Sequence, residues 1–493
     1  MKQTKKLEKS KSIKKKKTES DIYEKKIRNK ETNIISFIFV GLFMILTGYL
    51  IYFNAFIGPE VINNSYNKRI DNLSTKVVRG EILSADGNVL ASTTTDADGN
   101  ETRVYPYGSV FSHVVGIASH GKSGIEKLSN FFLLSSNANV IEQIANDVSS
   151  TKEVGDNVVT TLDVSLQQAA SNALGNNKGA VVVMEPSTGK ILAMVSKPDY
   201  DPNEADAMMN EWISYDSADS VLLNRATQGL YPPGSTFKIL TTIAYMRENA
   251  DYNSFHYNCT GSTTTKGAST IHCFNETAHG SEDLNHAFAN SCNSAFATIG
   301  QTLNVQNYRS LCESFSFNSD LPIGIEYNKS SFTLDTDSNV SEIMETSIGQ
   351  GETLITPIHN LMIVATIANK GVMMQPYFVD RVVTADNQVV QQYDPTEYKK
   401  IMTEQEAQVL TGYMRSVVTV GTGSSFKNSS YTMVGKTGSA QYDSSENYHS
   451  LFVGFAPEDN PQIAISVILE GGYTGVASAQ AVAKKILDVY FAK

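Results

Sequence analysis

Along the chain, the clearest pattern is an unbroken apolar run at residues 34–53, followed by shorter apolar segments separated by turn residues. The run has twenty residues and no charged side chain, which is long enough to span a bilayer as a helix. Tyr49, Tyr52 and Phe53 lie at its far end, where aromatic side chains suit a membrane interface. The pattern therefore predicts a transmembrane anchor at residues 34–53.

Charge is divided unevenly on the two sides of this run. Residues 1–30 hold 13 Lys/Arg and 4 Asp/Glu, so their net charge is +9 and the rest of the chain carries −20. The positive-inside rule then predicts a basic cytoplasmic tail at residues 1–33 and an extracellular segment at 54–493. Beside a membrane span, a basic tail sets topology and contacts anionic lipid, so we expect no nucleic-acid partner. The alternative is a cleaved signal peptide, which the length of the run and the poor cleavage site at Asn54-Ala55-Phe56 disfavour.

The first part of the extracellular segment has the pattern of a stalk and a small β-rich domain. Apolar residues at 77–83 and 89–91 flank Asp86-Gly87, a pair typical of a hairpin turn. We therefore predict a juxtamembrane stalk and a non-catalytic pedestal domain at residues 54–155, and we assign no chemistry to either.

Residues 156–493 show strand patterns at both ends and helical patterns between them. The strands are predicted at 179–185, 190–196, 448–456 and 462–470, and the helices at 164–174 and 477–491. Strands at both ends with helices in the middle predict an α+β domain with one antiparallel sheet flanked by helices.

A serine and a lysine lie three residues apart in this domain, directly after a Pro-Pro-Gly turn at residues 232–234. The apolar residues that follow, Ile239, Leu240, Ile243 and Ala244, continue the segment as a predicted helix, so Ser235 lies at its start and Lys238 one turn later. A neutral lysine amine placed there can take the serine proton, and the helix N-terminus favours the negative charge that develops. The pair is a candidate nucleophile and base for attack on a carbonyl.

This serine–lysine spacing is weakly specific by itself, because it recurs elsewhere in the chain. The other matches are Ser12/Lys15, Ser119/Lys122, Ser149/Lys152, Ser187/Lys190 and Ser424/Lys427. Ser235 is distinguished by two motifs that follow it in order, Ser291-Cys292-Asn293 after 56 residues and Lys436-Thr437-Gly438 after 201 residues. Each motif alone has a structural interpretation as a helix start, a helix cap or a turn. The ordered set matches the three signatures of the penicillin-interacting serine transferases and hydrolases.

With these motifs the chain resembles a class B penicillin-binding protein, a peptidoglycan D,D-transpeptidase, over about residues 75–490. Residues 79–91 resemble the opening of the family's pedestal domain, with Ser84 where Asp is usual, and residues 121–127 resemble its second marker. Residues 347–368 resemble a family element that packs behind the active site. The resemblance implies the penicillin-binding transpeptidase fold at residues 156–493, a small N-terminal pedestal and one transmembrane helix.

The resemblance also implies catalytic roles. Ser235 would be the nucleophile and Lys238 its base, with Lys436 supplying the cation that helps to keep Lys238 neutral. Ser291 would bridge the two lysines and relay a proton to the leaving group. Asn293 would hold Lys238 and the substrate backbone. No cofactor is required for this chemistry, and no metal is expected in the catalytic set.

Substrate binding is implied for the strand that carries the third motif. Lys436, Thr437, Gly438 and Ser439 would line an edge to which an extended peptide adds by main-chain pairing. Most relatives have Thr where this chain has Ser439, and the hydroxyl is retained. The backbone N–H groups of Ser235 and Ser439 would form the oxyanion hole.

The activity implied is D,D-transpeptidation. Ser235 would attack the penultimate D-Ala carbonyl of a peptidoglycan stem peptide, and a neighbouring amine would then form the crosslink, while β-lactams would acylate the same serine. The alternatives are a D,D-carboxypeptidase or a β-lactamase with the same site, and a non-catalytic β-lactam sensor or scaffold. About 100 residues between anchor and catalytic domain are too few for a glycosyltransferase domain. A membrane-embedded glycan polymerase contacting residues 34–75 is the protein partner that the resemblance implies.

Three of the four cysteines lie close together in the chain, near three histidines. A Cys259–Cys273 disulfide is one interpretation outside the membrane, and free thiols are another. A third is a structural zinc site formed by Cys259, Cys273, His279 and either Cys292 or Asp283, because mixed Cys/His ligands suit zinc. Cys292 lies inside the second motif, so any bond it makes would affect the active-site cleft.

Overall fold

The structure is a computed structural model that describes residues 2–53, 74–137, 151–214, 220–442, 447–472 and 478–492. It divides into two compact units, Met1–Asn67 and Lys68–Lys493. Most of the predicted stalk, residues 54–73, lies outside the described residues. The predicted domain boundaries at 33, 53 and 155 stay predictions.

The N-terminal unit contains one long helix, α1 (Lys2–Tyr52). It includes a segment long and apolar enough to cross a membrane, and none of that segment is buried. The helix also continues through the basic tail, which the apolar pattern alone did not predict. Lys and Glu are good helix formers, so these residues can extend a helix that packs against nothing within the described part of this unit.

The second unit combines the following strands and helices. The strands are β1 (Val77–Val78), β2 (Ile82–Leu83), β3 (Val89–Thr95), β4 (Glu101–Val104), β5 (Glu153–Val154), β6 (Asn157–Thr160), β7 (Gly179–Met184), β8 (Ile191–Lys197), β9 (His256–Cys259), β10 (Ser262–Thr263), β11 (Ile271–His272), β12 (Gly280–Asp283), β13 (Val372–Met374), β14 (Val379–Val383), β15 (Val389–Gln392), β16 (Glu397–Lys400), β17 (Val434–Gln441), β18 (Tyr448–Ala456) and β19 (Ile463–Leu469). The helices are α2 (Ser112–Val115), α3 (Gly124–Leu128), α4 (Asn130–Leu133), α5 (Val164–Leu174), α6 (Ala205–Trp212), α7 (Lys238–Glu248), α8 (Leu284–Ala289), α9 (Asn293–Thr302), α10 (Val305–Ser314), α11 (Val340–Ser347), α12 (Pro357–Ala368), α13 (Glu404–Thr419) and α14 (Ala479–Phe491). Short 3-10 turns lie at Gly108–Phe111, Pro202–Glu204, Gly234–Phe237, Tyr252–Ser254, Phe274–Glu276 and Ser424–Phe426.

The catalytic half of the unit is organised around a five-stranded antiparallel sheet in the order β17-β18-β19-β7-β8. Its central strands are buried on both faces, which explains why they are continuous apolar runs. In β7, Val182 packs in the core that includes α12, whereas Val181 and Val183 pack in the core that includes α5 and α14. This arrangement confirms the predicted α+β fold with helices on both faces of one antiparallel sheet.

Helix α12 is the most deeply buried helix among the described residues, because every one of its residues is buried. Thr356 caps it by accepting a hydrogen bond from His359 N, and Pro357 occupies its first turn, where no N–H partner is needed. It contacts β7, β18 and β19. The apolar segment at residues 358–368 therefore packs directly on the sheet, and it also contacts α13.

A second sheet has six strands in the order β15-β14-β6-β2-β3-β4. It joins strands from residues 82–104 to strands from residues 157–160 and 379–392. The predicted hairpin around Asp86-Gly87 therefore belongs to a larger sheet that includes later parts of the chain. Next to it, the fully buried Glu126 carboxylate forms ion pairs with Arg79 at 2.6 Å and Arg103 at 2.8 Å. The arginine of the pedestal opening thus has a structural role in holding α3 to this sheet.

Candidate active site

The serine of the first motif lies on the 3-10 turn Gly234–Phe237, directly before α7. Gly234 has φ +54°, and its N–H donates to Gly349 O at 2.8 Å. Gly349, with φ +84°, has no room for a side chain, since a Cβ there would lie 1.8 Å from Gly234 O. Residues 347–351 belong to the segment that resembles the family element behind the site. The close contact between Gly349 and Gly234 is the physical reason for this packing.

Lys238 begins α7, and its Nζ lies among four oxygen atoms of the first two motifs. It is 3.1 Å from Ser235 Oγ, 2.7 Å from Ser291 O, 3.2 Å from Ser291 Oγ and 2.6 Å from Asn293 Oδ1. The Ser291 and Asn293 carbonyl oxygens can only accept, so they take two N–H donors of the amine. In a neutral amine the remaining lone pair is then available to the Ser235 hydroxyl, which is the geometry that a general base needs.

Lys436, on β17, approaches Ser291 from the other side. Its Nζ donates to Ser291 Oγ at 3.0 Å and to Thr437 O at 3.1 Å. Ser291 Oγ therefore lies between the Nζ atoms of Lys238 and Lys436. A hydroxyl between two amines can donate to one and accept from the other, so it can transmit a proton.

Lys238 and Lys436 are both fully shielded from solvent, and this burial lowers the pKa values of their amines. Desolvation is the largest cause at Lys238 and lowers its pKa from 10.5 to about 8. At Lys436 the nearby Lys238 adds to the effect of burial and lowers the pKa further. Two ammonium groups cannot share this buried position favourably, so the pair favours one neutral amine. With two N–H groups, a neutral Lys238 amine can donate to both of the carbonyl acceptors around it.

The second motif owes its position to an unusual backbone conformation. Ser291 has φ +58°, which non-glycine residues rarely adopt, and it precedes α9. Cys292 is the N-cap residue of α9, and its Sγ accepts from Ala295 N at 3.4 Å. Asn293 is the first residue of α9, and its Nδ2 donates to His272 O at 2.9 Å. This bond orients the amide so that Oδ1 points to Lys238.

The third motif lies on β17, which is an edge strand of the five-stranded sheet. Among the described residues no strand pairs with its outer edge, which leaves room for an extended peptide to pair. Gly438 has a further function that the sequence did not indicate. A Cβ at Gly438 would lie 3.1 Å from Thr236 Cγ2 and 3.4 Å from Pro233 O. The glycine thus allows the strand to pack closely on the turn that carries Ser235.

The three motifs border one cleft with a volume of about 1200 Å³. Its lining includes Ser235, Ser291, Asn293, Thr437, Gly438 and Ser439. The structure therefore brings all predicted site residues to one place, with the two lysines buried beside the cleft. Their catalytic and binding roles stay predictions.

Thr422 and Glu345 are cleft residues that the sequence did not indicate. Thr422 lines the cleft, and its Oγ1 is 2.5 Å from Thr437 Oγ1. It lies in a Gly-Thr-Gly segment, where a Cβ on Gly421 would lie 2.2 Å from Ala289 O. Gly421 and Gly423, which flank Thr422, are the feature of the sequence that could have indicated this position. Glu345 also lines the cleft, and its position on α11 gave no signal of that kind.

The cysteine cluster lies directly behind the second motif. Cys259, Cys273, His279 and Cys292 place one potential ligand atom each within 4.8 Å of one another. The Cys259–Cys273 and Cys273–Cys292 sulfur distances are 3.6 and 3.8 Å, and Cys259 Sγ is 3.4 Å from His279 Nδ1. A disulfide needs sulfurs about 2.05 Å apart, whereas two sulfurs bound to one tetrahedral zinc stand about 3.8 Å apart.

These distances exclude the disulfide and leave free thiols and a metal site as the alternatives. All four cysteines are free thiols in the structure, so the Cys259–Cys273 disulfide is not formed. Asp283 is not part of the cluster, because it caps α8 and pairs with His286 at 2.9 Å. Three cysteines and one histidine remain, a donor set that suits a structural zinc ion.

Comparisons with known proteins find two family models that match the chain. The family model described as the penicillin binding protein transpeptidase domain matches residues 179–488, and that of the penicillin binding protein A dimerisation domain matches residues 79–158. The chain is 32% identical over 415 residues to the peptidoglycan D,D-transpeptidase PbpA of Mycolicibacterium smegmatis, covering 80% of this chain and 84% of that protein. It is 29% identical over 453 residues to the peptidoglycan D,D-transpeptidase MrdA of Acinetobacter baumannii, covering 79% and 66%.

Solved structures show the same fold. Penicillin-binding protein A from M. tuberculosis, as an imipenem acyl-enzyme complex, aligns with a TM-score of 0.77 at 29% identity over 86% of this chain and 100% of that one. The D,D-transpeptidase domain of a peptidoglycan glycosyltransferase from Eggerthella lenta aligns with a TM-score of 0.76 at 31% identity, over 85% and 99%.

Proposed function

This chain belongs to the penicillin-binding protein transpeptidase family, and from that membership we propose that it is a peptidoglycan D,D-transpeptidase that forms its acyl-enzyme on Ser235. The observation that carries the proposal is the contact of one buried amine, Lys238 Nζ, with Ser235 Oγ at 3.1 Å and with both polar residues of the second motif. A serine held in this way has its base in place before substrate binds.

In the acylation step, Ser235 Oγ attacks the penultimate D-Ala carbonyl of a stem peptide, and its proton passes to the neutral Lys238 amine. The backbone N–H groups of Ser235 and Ser439 donate to the oxyanion. As the peptide bond breaks, a proton moves through Ser291 Oγ to the departing nitrogen of the terminal D-Ala. Lys436 acts as the cation beside the substrate carboxylate and beside Ser291.

In the second step, an amine of a neighbouring strand attacks the Ser235 ester and forms the crosslink. A β-lactam mimics the donor peptide and acylates Ser235, but its ring blocks this second step. We infer that the helix α1 anchors the protein in the cytoplasmic membrane with residues 1–33 inside and the catalytic residues outside, since the basic tail precedes the apolar run. A membrane-embedded glycan polymerase is the partner that we propose for residues 34–75.

A crosslinking assay tests this function. The full-length protein in detergent receives a thioester donor ending in D-Ala, with and without an amine acceptor, and mass spectrometry quantifies amide, acid and acyl-enzyme. We expect amide formation and a covalent adduct on Ser235. Acid as the sole product would favour the carboxypeptidase alternative, and rapid turnover of penicillin would favour the β-lactamase. Penicillin binding without turnover of the thioester would leave only the sensor alternative.

We further propose that Cys259, Cys273, His279 and Cys292 hold one structural zinc ion. The observation that supports this is the pair of sulfur distances of 3.6 and 3.8 Å, which fit tetrahedral ligands. When bound, zinc would crosslink β9, the residues around β11 and the N-cap of α9. Because Asn293 follows Cys292 and hydrogen-bonds to His272 O, the ion would stabilise the arrangement of the second motif.

Metal analysis tests the zinc proposal independently of activity. The full-length protein purified without chelators should contain about one zinc per chain, and Cys273→Ala should lose it and melt at a lower temperature. Cys312→Ala is the matched control, because Cys312 is also a buried free thiol but lies outside the cluster. Equal zinc content in the parent and in Cys273→Ala would contradict the proposal.

A further inference from the structure

One carboxylate of the cleft has no partner that would explain its position. Glu345 lies on α11 and lines the same cleft as Ser235. Its side chain lies over Gly351, where a Cβ would be 3.7 Å from Glu345 Oε2. Among the described residues, no cation or hydrogen-bond donor pairs with this carboxylate. The other described carboxylate of the lining, Glu276, has His272 Nδ1 at 3.5 Å.

The backbone around Glu345 is fixed relative to the nucleophile. Its carbonyl oxygen accepts from Ile348 N at 3.2 Å and from Gln350 N at 2.9 Å, which closes α11 into the loop at residues 347–351. Gly349 of that loop contacts Gly234, the residue before Ser235. The carboxylate is therefore carried by a short, hydrogen-bonded segment that packs on the catalytic turn.

Gly234, the residue before Ser235, also contacts the strand β17. A Cβ on Gly234 would lie 2.6 Å from Ser439 O of β17. Gly234 thus contacts both β17, the strand to which the donor peptide adds in the proposed function, and the loop after Glu345. Ile348, Gln350 and Gly351 of that loop also line the cleft, so the cleft borders the loop as well as the strand β17.

We propose that Glu345 binds the cationic amine of the acceptor peptide and presents it to the Ser235 ester. The assignment rests on the proposed transpeptidase function and deepens it. The acceptor of this reaction must be a primary amine, which is an ammonium ion at neutral pH. A carboxylate is the side chain that pairs with an ammonium group, and no cation in the described part of the chain competes for this one.

The carboxylate also provides a destination for the surplus proton. The ammonium group gives one proton to Glu345, and the neutral amine then attacks the ester carbonyl, forming the amide C–N bond. The ester C–O bond to Ser235 Oγ breaks, and the second N–H proton returns to Ser235 Oγ through Lys238. Partial burial, with a contribution from Glu342, raises the pKa of Glu345, which favours this transfer.

A partition experiment with the full-length protein tests the site. The donor is the D-Ala thioester, and the acceptor is Nα-acetyl-lysine amide, whose single amine is cationic. Hydroxylamine serves as an uncharged nucleophile. For Glu345→Gln, the concentration of the lysine acceptor that gives half-maximal amide should rise about tenfold or more. Reaction with hydroxylamine, hydrolysis and the rate of penicillin acylation should stay within about twofold of the parent. These three readouts also report a folded active site.

The controls are two further variants. Glu352→Gln removes a charge next to Gly351 at an exposed position outside the cleft lining, and it should behave as the parent does. Glu345→Asp keeps the charge and should recover part of the affinity for the lysine acceptor.

An unchanged lysine dependence in Glu345→Gln would overturn the amine site while leaving transpeptidation intact. Equal losses with lysine, hydroxylamine and penicillin would show a structural role instead. A parent protein that acylates but never forms amide would overturn transpeptidation itself, and the amine site with it.

Discussion

The pH dependence of acylation gives the most direct test of Lys238 as the base. If Lys238 takes the proton of Ser235, only the neutral amine is active. Burial lowers its pKa from 10.5 to about 8, against smaller opposing effects of the nearby Cys292, Cys273 and Glu282 side chains. A base with this pKa is about one-tenth neutral at pH 7, whereas an ordinary lysine would be neutral in about one molecule in 3,000. The buried position thus makes the base about 300-fold more available.

The expected pH profile of acylation follows from the requirement for a neutral Lys238 amine. The second-order rate constant for acylation by a fluorescent penicillin should rise about tenfold per pH unit below pH 7 and level off above about pH 8. Lys238→Arg should acylate 10²–10⁴-fold more slowly, roughly the effect of losing a general base, because a guanidinium stays protonated. Lys436→Arg should be milder, since that position mainly requires a cation.

The assay is stopped-flow acylation of the full-length protein in detergent between pH 6 and about 9, with thermal melting at each pH as the control for folding. A rate that does not change across this range would refute the assignment. So would a Lys238→Arg protein that is fully folded and acylates within a few-fold of the parent. In that case Ser291 or a bound water would be the better candidate for the base.

Four further predictions use the same structure. Ser235→Ala should abolish covalent penicillin labelling by mass spectrometry without unfolding the protein, since the serine makes no cap; an adduct on another serine would contradict this. Glu282→Gln should shift the acylation midpoint to lower pH, because the Glu282 charge raises the pKa of Lys238, and an upward shift would contradict it. Gly349→Ala should lower the melting temperature by several degrees, because its Cβ would overlap Gly234 O, with Gly412→Ala, which has open space, as the control. Protease added outside spheroplasts should remove residues 54–493 and spare the basic tail, whereas a mature protein that begins near Phe56 would indicate signal-peptide cleavage.

Regular elements could be predicted because their signals are local. The helix Val164–Leu174 and the strand Tyr448–Ala456 have the predicted bounds, and the C-terminal helix begins at Ala479 rather than at residue 477. Amphipathic or continuous apolar runs determine such segments over about ten residues. The second sheet was not predictable in the same way, because β6 pairs with β14 across more than two hundred residues, and no local period reports that pairing.

The candidate site was likewise predictable where its signals are local in the sequence and not where they depend on tertiary contacts. The order of the three motifs was visible in the sequence, and the structure places their residues around one cleft. The positive φ of Ser291 was not visible, since a serine gives no sign of left-handed backbone. Thr422 and Glu345 were missed because each reaches the cleft through a tertiary contact. The cysteine cluster was visible as a cluster, but only the sulfur distances separate a disulfide from a metal site.

The burial of two lysines beside one serine connects stability with reactivity. A buried ammonium group loses hydration, and the two lysines also repel each other if both are charged. The fold compensates in part through the carbonyl groups of Ser291 and Asn293, which accept from Lys238, and through Ser291 Oγ, which accepts from Lys436. What remains uncompensated is the cost of a second proton, and that cost lowers the pKa values of the two amines. A substitution that relieved it, such as a carboxylate beside Lys436, would stabilise the fully protonated pair and slow acylation. The site therefore has to be less stable than it could be, because a better-paired Lys238 would be a weaker base.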